Sequence, residues 1–118
     1  MGLDSIWSIG TGKNGLTKAR KVIFRPRLNL VGGLFSGEGQ GSFRGKVYNR
    51  FIEEQTGESL KQKTISSAKV KEMSDQLQKM YWYIGLKKRY KISKQEFNDL
   101  RRMFKRYAKE GATLHGWW

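Results

Sequence analysis

Residues 93–111 specify one helix from end to end, and the rest of the chain has to fold around what that helix must bury. Ser93-Lys94-Gln95-Glu96 is a capping box: the serine hydroxyl takes the amide of the third helical residue, and the glutamate returns a bond to the serine's own amide. Phe97, Leu100, Met103, Phe104 and Tyr107 follow at spacings of three and four, which at about 100° per residue gathers them on one side. Gly111 supplies the stop. This predicts a helix over residues 94–110 whose apolar stripe needs partners from elsewhere in the chain.

Two more segments have the same period. Ser42 reads as the cap of a helix over 43–56, with Phe43, Val47, Tyr48, Phe51 and Ile52 on one face and Gly57 as a left-handed terminator. Ser66 reads as the cap of a helix over 66–84. Ile65 and Val70 form its hydrophobic staple, Met73, Leu77, Met80, Tyr81 and Ile84 continue the stripe, and Gly85 ends it. Residues 1–36 have strand and turn character: Val22, Phe24, Leu28 and Leu30 alternate around Pro26, Ile6, Trp7 and Ile9 offer a second strand, and Asn14-Gly15 suits a tight turn. Five glycines between Gly32 and Gly41 read as a loop. The expected fold is α+β, a small antiparallel N-terminal sheet packed with three amphipathic helices, and residues 1–118 form a single small basic domain.

A chain of 118 residues, 37% hydrophobic and 13% aromatic, is long enough for one core. Cysteine is absent, which removes disulfides and thiolate metal sites and fits a reducing compartment, cytoplasmic or nucleoid-associated. No apolar run approaches the roughly 20 residues that span a bilayer. The opening Met1-Gly2-Leu3-Asp4-Ser5-Ile6 has isoleucine where a myristoylation signal requires Ser or Thr. A soluble, unprocessed chain is expected.

The formal charge is +14, spread as +5 over residues 1–36, −1 over 37–60, +3 over 61–80 and +7 over 81–118. That last third interleaves ten Lys or Arg and three acids with aromatic residues, the composition of a surface for a polyanion. Lys87, Lys88, Arg89 and Lys91 are expected on an exposed connection. Arg101, Arg102, Lys105 and Lys109, with Lys94 and Asn98, occupy the side of the third helix opposite its stripe, either as a solvated face or along phosphates. Asp99 and Glu110 stand at helical spacing from Arg102 and Arg106. Trp82 falls off the stripe of the second helix, so it either packs on another element or offers a ring for base stacking. The connection over 84–92 is longer than the turn of a helix-turn-helix, and the aromatic signature of an RNA-recognition sheet is missing.

Gly37-Glu38-Gly39-Gln40-Gly41-Ser42-Phe43-Arg44-Gly45-Lys46 invites comparison with phosphate loops, but Gln40 and Val47 break the Walker spacing, and Ser42 and Arg44 break the dinucleotide one. Ser42, Arg44 and Lys46 could still meet an anion at a helix N-terminus, against the competing reading of a plain connector. Enzyme chemistry has little support. His115 is the sole histidine, so a metal site is not expected, and the pairs Glu72/Asp75 and Glu96/Asp99 are more simply surface ion-pair partners than the magnesium ligands of a nuclease. Trp117 and Trp118 read as a lid on the core or an exposed anchor. The function expected from the sequence is non-enzymatic nucleic-acid binding, mainly through phosphates and without a cofactor. The alternatives are an accessory or inhibitory factor docking on an acidic protein, and a binder of a phosphorylated small ligand at the glycine-rich loop.

Overall fold

The structure, a computed structural model, describes residues 4–9, 28, 30, 35–37 and 40–117. In chain order the elements are β1 (Asp4–Ser8), β2 (Phe35–Gly37), β3 (Gln40–Phe43), α1 (Gly45–Thr56), α2 (Ser67–Gln78), α3 (Ile84–Tyr90), α4 (Lys94–Lys109) and β4 (Thr113–Trp117). The strands form one antiparallel sheet in the order β2-β3-β1-β4. The α+β class holds, with an antiparallel sheet and helices packed on it.

Register explains how the sheet feeds the core. Trp7 stands opposite Gly41 on one side and Leu114 on the other, and Ser5 stands opposite Phe43. Alternation therefore sends Ser5, Trp7, Phe43 and Leu114 to one face, where all four are buried. Trp7 is the centre of that face: its ring stacks on Tyr107 at 4.6 Å, meets Phe104 edge-on at 5.0 Å and lies 6.0 Å from Phe43. The α4 stripe seen in the sequence thus finds its partner in β1. Burial pushes the Tyr107 phenol up to about 12, with the nearby Arg106 charge opposing. The second half of the stripe's packing comes from α2, whose Val70, Met73 and Leu77 are all buried.

The last predicted helix matches closely. Ser93 Oγ accepts from the Glu96 amide at 3.1 Å, Glu96 Oε1 accepts from the Ser93 amide at 3.3 Å, and Gly111 is left-handed at φ 72°. Ser66 caps α2 through the Lys69 amide, the staple residues Ile65 and Val70 are both buried, and Gly57 ends α1 at φ 77°.

Four expectations are corrected. Ser42 is not a helix cap: it lies in β3 opposite Ile6 and Phe35, Phe43 is the last residue of the strand, and α1 begins at Gly45 after an Arg44 whose side chain makes no capping bond. Phe43 joins the sheet because its ring then enters the core with Trp7, while Val47, expected on the buried stripe, is 49% exposed. The glycine-rich stretch is not only a loop, since it contributes β2 and β3. The helix over 66–84 stops at Gln78, and the basic connection after it is α3. Residues 113–117 form the strand β4, whose Trp117 backbone pairs with Asp4. Most of the alternating run around Pro26, the Asn14-Gly15 turn and Trp118 lie outside the described residues. Leu28 and Leu30 of that run are buried.

Candidate nucleic-acid interface

The basic residues 87–91 are held on a helix of two turns. Tyr83 enters α3 with extended dihedrals, φ −145° and ψ 161°, Leu86 is the one residue of α3 in the core, and Lys91 closes the helix in the left-handed region at φ 57°, its amide bonded to Lys87 O at 2.9 Å. Lys87, Lys88 and Arg89 sit in the last turn, where the exposed carbonyls favour cations. All four cations, Lys91 included, are exposed.

Arg89 is the exception to an otherwise unpaired group. It meets Glu54 of α1 at 3.1 Å, and Arg50 approaches the same carboxylate at 3.8 Å. Tyr90 donates its hydroxyl to Glu54, and its ring is flanked by the guanidinium groups of Arg89 and Arg50 at 5.4 and 5.7 Å. The Tyr90 hydrogen bond, supported by both arginine charges, holds the Glu54 carboxyl below its ordinary value against a smaller opposing effect of desolvation. Burial, then the bond to Glu54, raises the Tyr90 phenol. Between α1 and α3 this leaves a cleft of about 230 Å³ lined by Val47, Arg50, Phe51, Arg89, Tyr90 and Lys91. Its three lining cations, Arg50, Arg89 and Lys91, outnumber the one carboxylate, Glu54, that Arg50 and Arg89 share.

The structure divides the cations of α4. Lys94, Asn98, Lys105 and Lys109 are exposed and fall within about 60° of one another around the helix. Arg101 turns back onto α2 instead: its Nε donates to Leu77 O at 3.0 Å and an Nη to Gln78 O at 2.8 Å, Gln78 Nε2 returns a bond to Arg101 O at 2.9 Å, and the guanidinium lies over the Phe97 ring. Arg101 therefore caps the C-terminus of α2, bringing charged donors to its last two carbonyls. Arg102 bonds Asp99 at 2.9 Å, and Arg106 bonds Glu110 at 3.2 Å. Among the described residues Lys87, Lys88, Lys91, Lys94, Lys105 and Lys109 have no acidic partner.

Trp82 is not on a helix. It is half-buried against the core and directs its indole Nε1 toward Ile92 O at 3.5 Å, so its ring is a packing element. Arg44 and Lys46 are exposed at the start of α1, and Ser42 lies in the strand that precedes it. Glu96 is engaged by Ser93 and by the Tyr48 hydroxyl at 2.7 Å, and Glu72 pairs with Lys69. No group of three metal-ligating side chains occurs among the described residues, and no described helix is long and apolar enough to cross a membrane. His115 is clasped by Thr113 and Thr64 at 2.9 and 3.2 Å as part of β4.

Two features escape a helix-by-helix reading. One is Arg50, whose place opposite Arg89 depends on packing between segments far apart in sequence. The other was visible as a pattern: residues 76–95 hold Lys79, Lys87, Lys88, Arg89, Lys91 and Lys94 and not one acid, and every one of these cations is exposed. Comparison of the chain with protein-family models, with curated proteins and with solved structures returns no match.

Proposed function

We propose that this chain binds nucleic acid through its phosphates, using Lys87, Lys88, Arg89 and Lys91 of α3 and its cap together with Lys94, Lys105 and Lys109 on the exposed strip of α4. The observation that carries the reading is the acid-free run 76–95, whose six cations are all in solvent. Ion pairing would have neutralised such a surface, as it does for Arg102 and Arg106. Arg89 is already paired with Glu54, but among the described residues the five lysines of the run have no acidic partner, and such cations gain from a polyanion by releasing its condensed counterions. Arg101 and Arg102 are not included among the proposed phosphate ligands because their donors are already directed at α2 and at Asp99.

The test is a four-site variant, Lys87→Ala, Lys88→Ala, Lys105→Ala and Lys109→Ala, titrated against a fluorescent oligonucleotide at several salt concentrations. All four positions are exposed on helices, where alanine is well tolerated, so circular dichroism should match the parent. Affinity is expected to drop by at least about tenfold at low salt, and the logarithmic salt slope to become shallower by roughly 3 to 4. Unchanged affinity and slope would refute the reading.

A further inference from the structure

The link between α2 and α3 carries the most exposed aromatic surface described in the molecule. Tyr81 is 87% exposed, Tyr83 60% and Ile84 56%, while Trp82 between the tyrosines is packed on the core. Tyr83 has extended dihedrals, φ −145° and ψ 161°, and in extended backbone anchoring one side chain inward turns the next one outward. Tyr83 is moreover seated. A Cβ on Gly85 would lie 2.6 Å from Tyr83 Cε2 and 3.0 Å from Cδ2, so the Cδ2–Cε2 edge of the ring rests on the bare glycine backbone. The edge is held, and the ring remains 60% exposed.

Around these rings the charge has a single sign. Ile84, Lys87 and Lys88 share a face of α3 at spacings of three and four, Lys79 precedes the tyrosines, and the nearest acids in sequence are Asp75 and Glu96. A protein partner of neutral or mixed surface has no use for such one-sided charge, and a duplex hides the faces of its bases in its own stack. An unpaired strand offers both complements at once, phosphates to the lysines and free base faces to the rings.

We infer that Tyr81 and Tyr83 form a stacking platform for unpaired bases, with Lys79, Lys87 and Lys88 holding the adjoining phosphates, so that the chain prefers single-stranded nucleic acid to duplex. The inference rests on the nucleic-acid reading above and adds the substrate class. Tyrosine suits the role because its ring stacks on any base while its hydroxyl remains hydrated, which makes the preference for single strands independent of sequence.

Three probes of equal length separate the contributions: a single strand, its duplex, and an abasic strand that keeps the phosphates and lacks the bases. The wild type should bind the single strand more tightly than either of the others. Tyr81→Ala and Tyr83→Ala should each weaken single-strand binding by about fivefold or more, leave the abasic strand and the salt slope unchanged, and be rescued by Tyr81→Phe and Tyr83→Phe, which retain the rings. Both tyrosines are exposed, so loss of the fold is not expected, and thermal melting checks it. If the alanine variants lose affinity equally for the abasic strand, or lose none, the platform is refuted while phosphate binding stands. If the wild type binds none of the three probes, the underlying reading fails with it. Should that protein instead self-associate in sedimentation, with Tyr81→Ala dispersing it, the rings belong to an interface between copies.

Discussion

Arg101 shows how a residue's place on a helix face can hide the partners it finds on folding. Its place on the polar side of α4 marks it as a solvated or phosphate-binding cation, yet its guanidinium fork closes the end of a helix 23 residues earlier. Leu77 O also accepts from the Met80 amide at 3.2 Å, so the fork adds a charged donor at Leu77 O and at Gln78 O, and a hydrogen bond involving a charged donor contributes about 1.5–3 kcal/mol. Arg101→Ala is therefore expected to destabilise the fold by about 2 kcal/mol in urea unfolding, whereas Lys105→Ala on the same helix should change stability by less than about 0.5 kcal/mol. Arg101→Lys keeps the charge but cannot span two carbonyls with a planar fork, so it should fall between the two. Equal, small effects for all three would mean that the α2 cap is maintained by its own backbone, through the Lys79 amide.

At the scale of elements, the tightest joint is where α1 meets β1. A Cβ on Gly45 would stand 1.9 Å from Ser5 Oγ and 2.9 Å from Ser5 Cβ, so the first turn of α1 can lie on the strand only because residue 45 has no side chain. Gly45→Ala should cost about 1–3 kcal/mol by overpacking, and adding Ser5→Ala should recover part of that loss, since the buried hydroxyl has no hydrogen-bond partner among the described residues. Chemical denaturation of the two single variants and the double variant reads this directly, and additive losses would show that the joint is looser than the distances imply. Local chemistry made α4 legible, because its capping box, stripe and terminal glycine lie within one segment. It made the start of α2 legible for the same reason. The end of α2 was not, since period and propensity continue through Met80 to Ile84 while the stop is imposed by Arg101 and by the inward turn of Trp82. The strand β4 was equally hidden: Thr113 to Trp117 has a weak alternation, and its pairing partner, Asp4–Ser8, is at the other end of the chain. The site follows the same rule. Its cations could be counted from the sequence, whereas the cleft between α1 and α3 and the seat of Tyr83 on Gly85 exist only after packing.

For the whole molecule, charge acts on folding and on binding with opposite signs, and salt exposes both. The molecule extends 47 × 31 × 29 Å and carries +14, with 24 basic side chains against 10 acidic ones. At ~10 mM salt the Debye length is about 30 Å, comparable with the two shorter dimensions, so nearly every cation is felt by every other; at ~150 mM it is about 8 Å, and only neighbours interact. Unfolding separates these like charges, so their repulsion weakens the compact state most when screening is poor. The exposed ion pairs, such as Lys69 with Glu72, oppose this trend only slightly, because solvent and salt screen them. The melting temperature is therefore expected to rise between ~10 and ~150 mM sodium chloride, while affinity for an oligonucleotide falls over the same range. In the presence of saturating oligonucleotide the order should invert: bound phosphates supply the missing negative charge, and at about 100 times the dissociation constant they add about 2.7 kcal/mol of stability, an increment that salt then removes. A melting temperature that falls with salt in the free protein would show that local ion pairs, not the summed excess of cations, govern the electrostatics of the fold. The unpaired lysines of α3 and α4 would then be isolated surface charges, and not parts of one field.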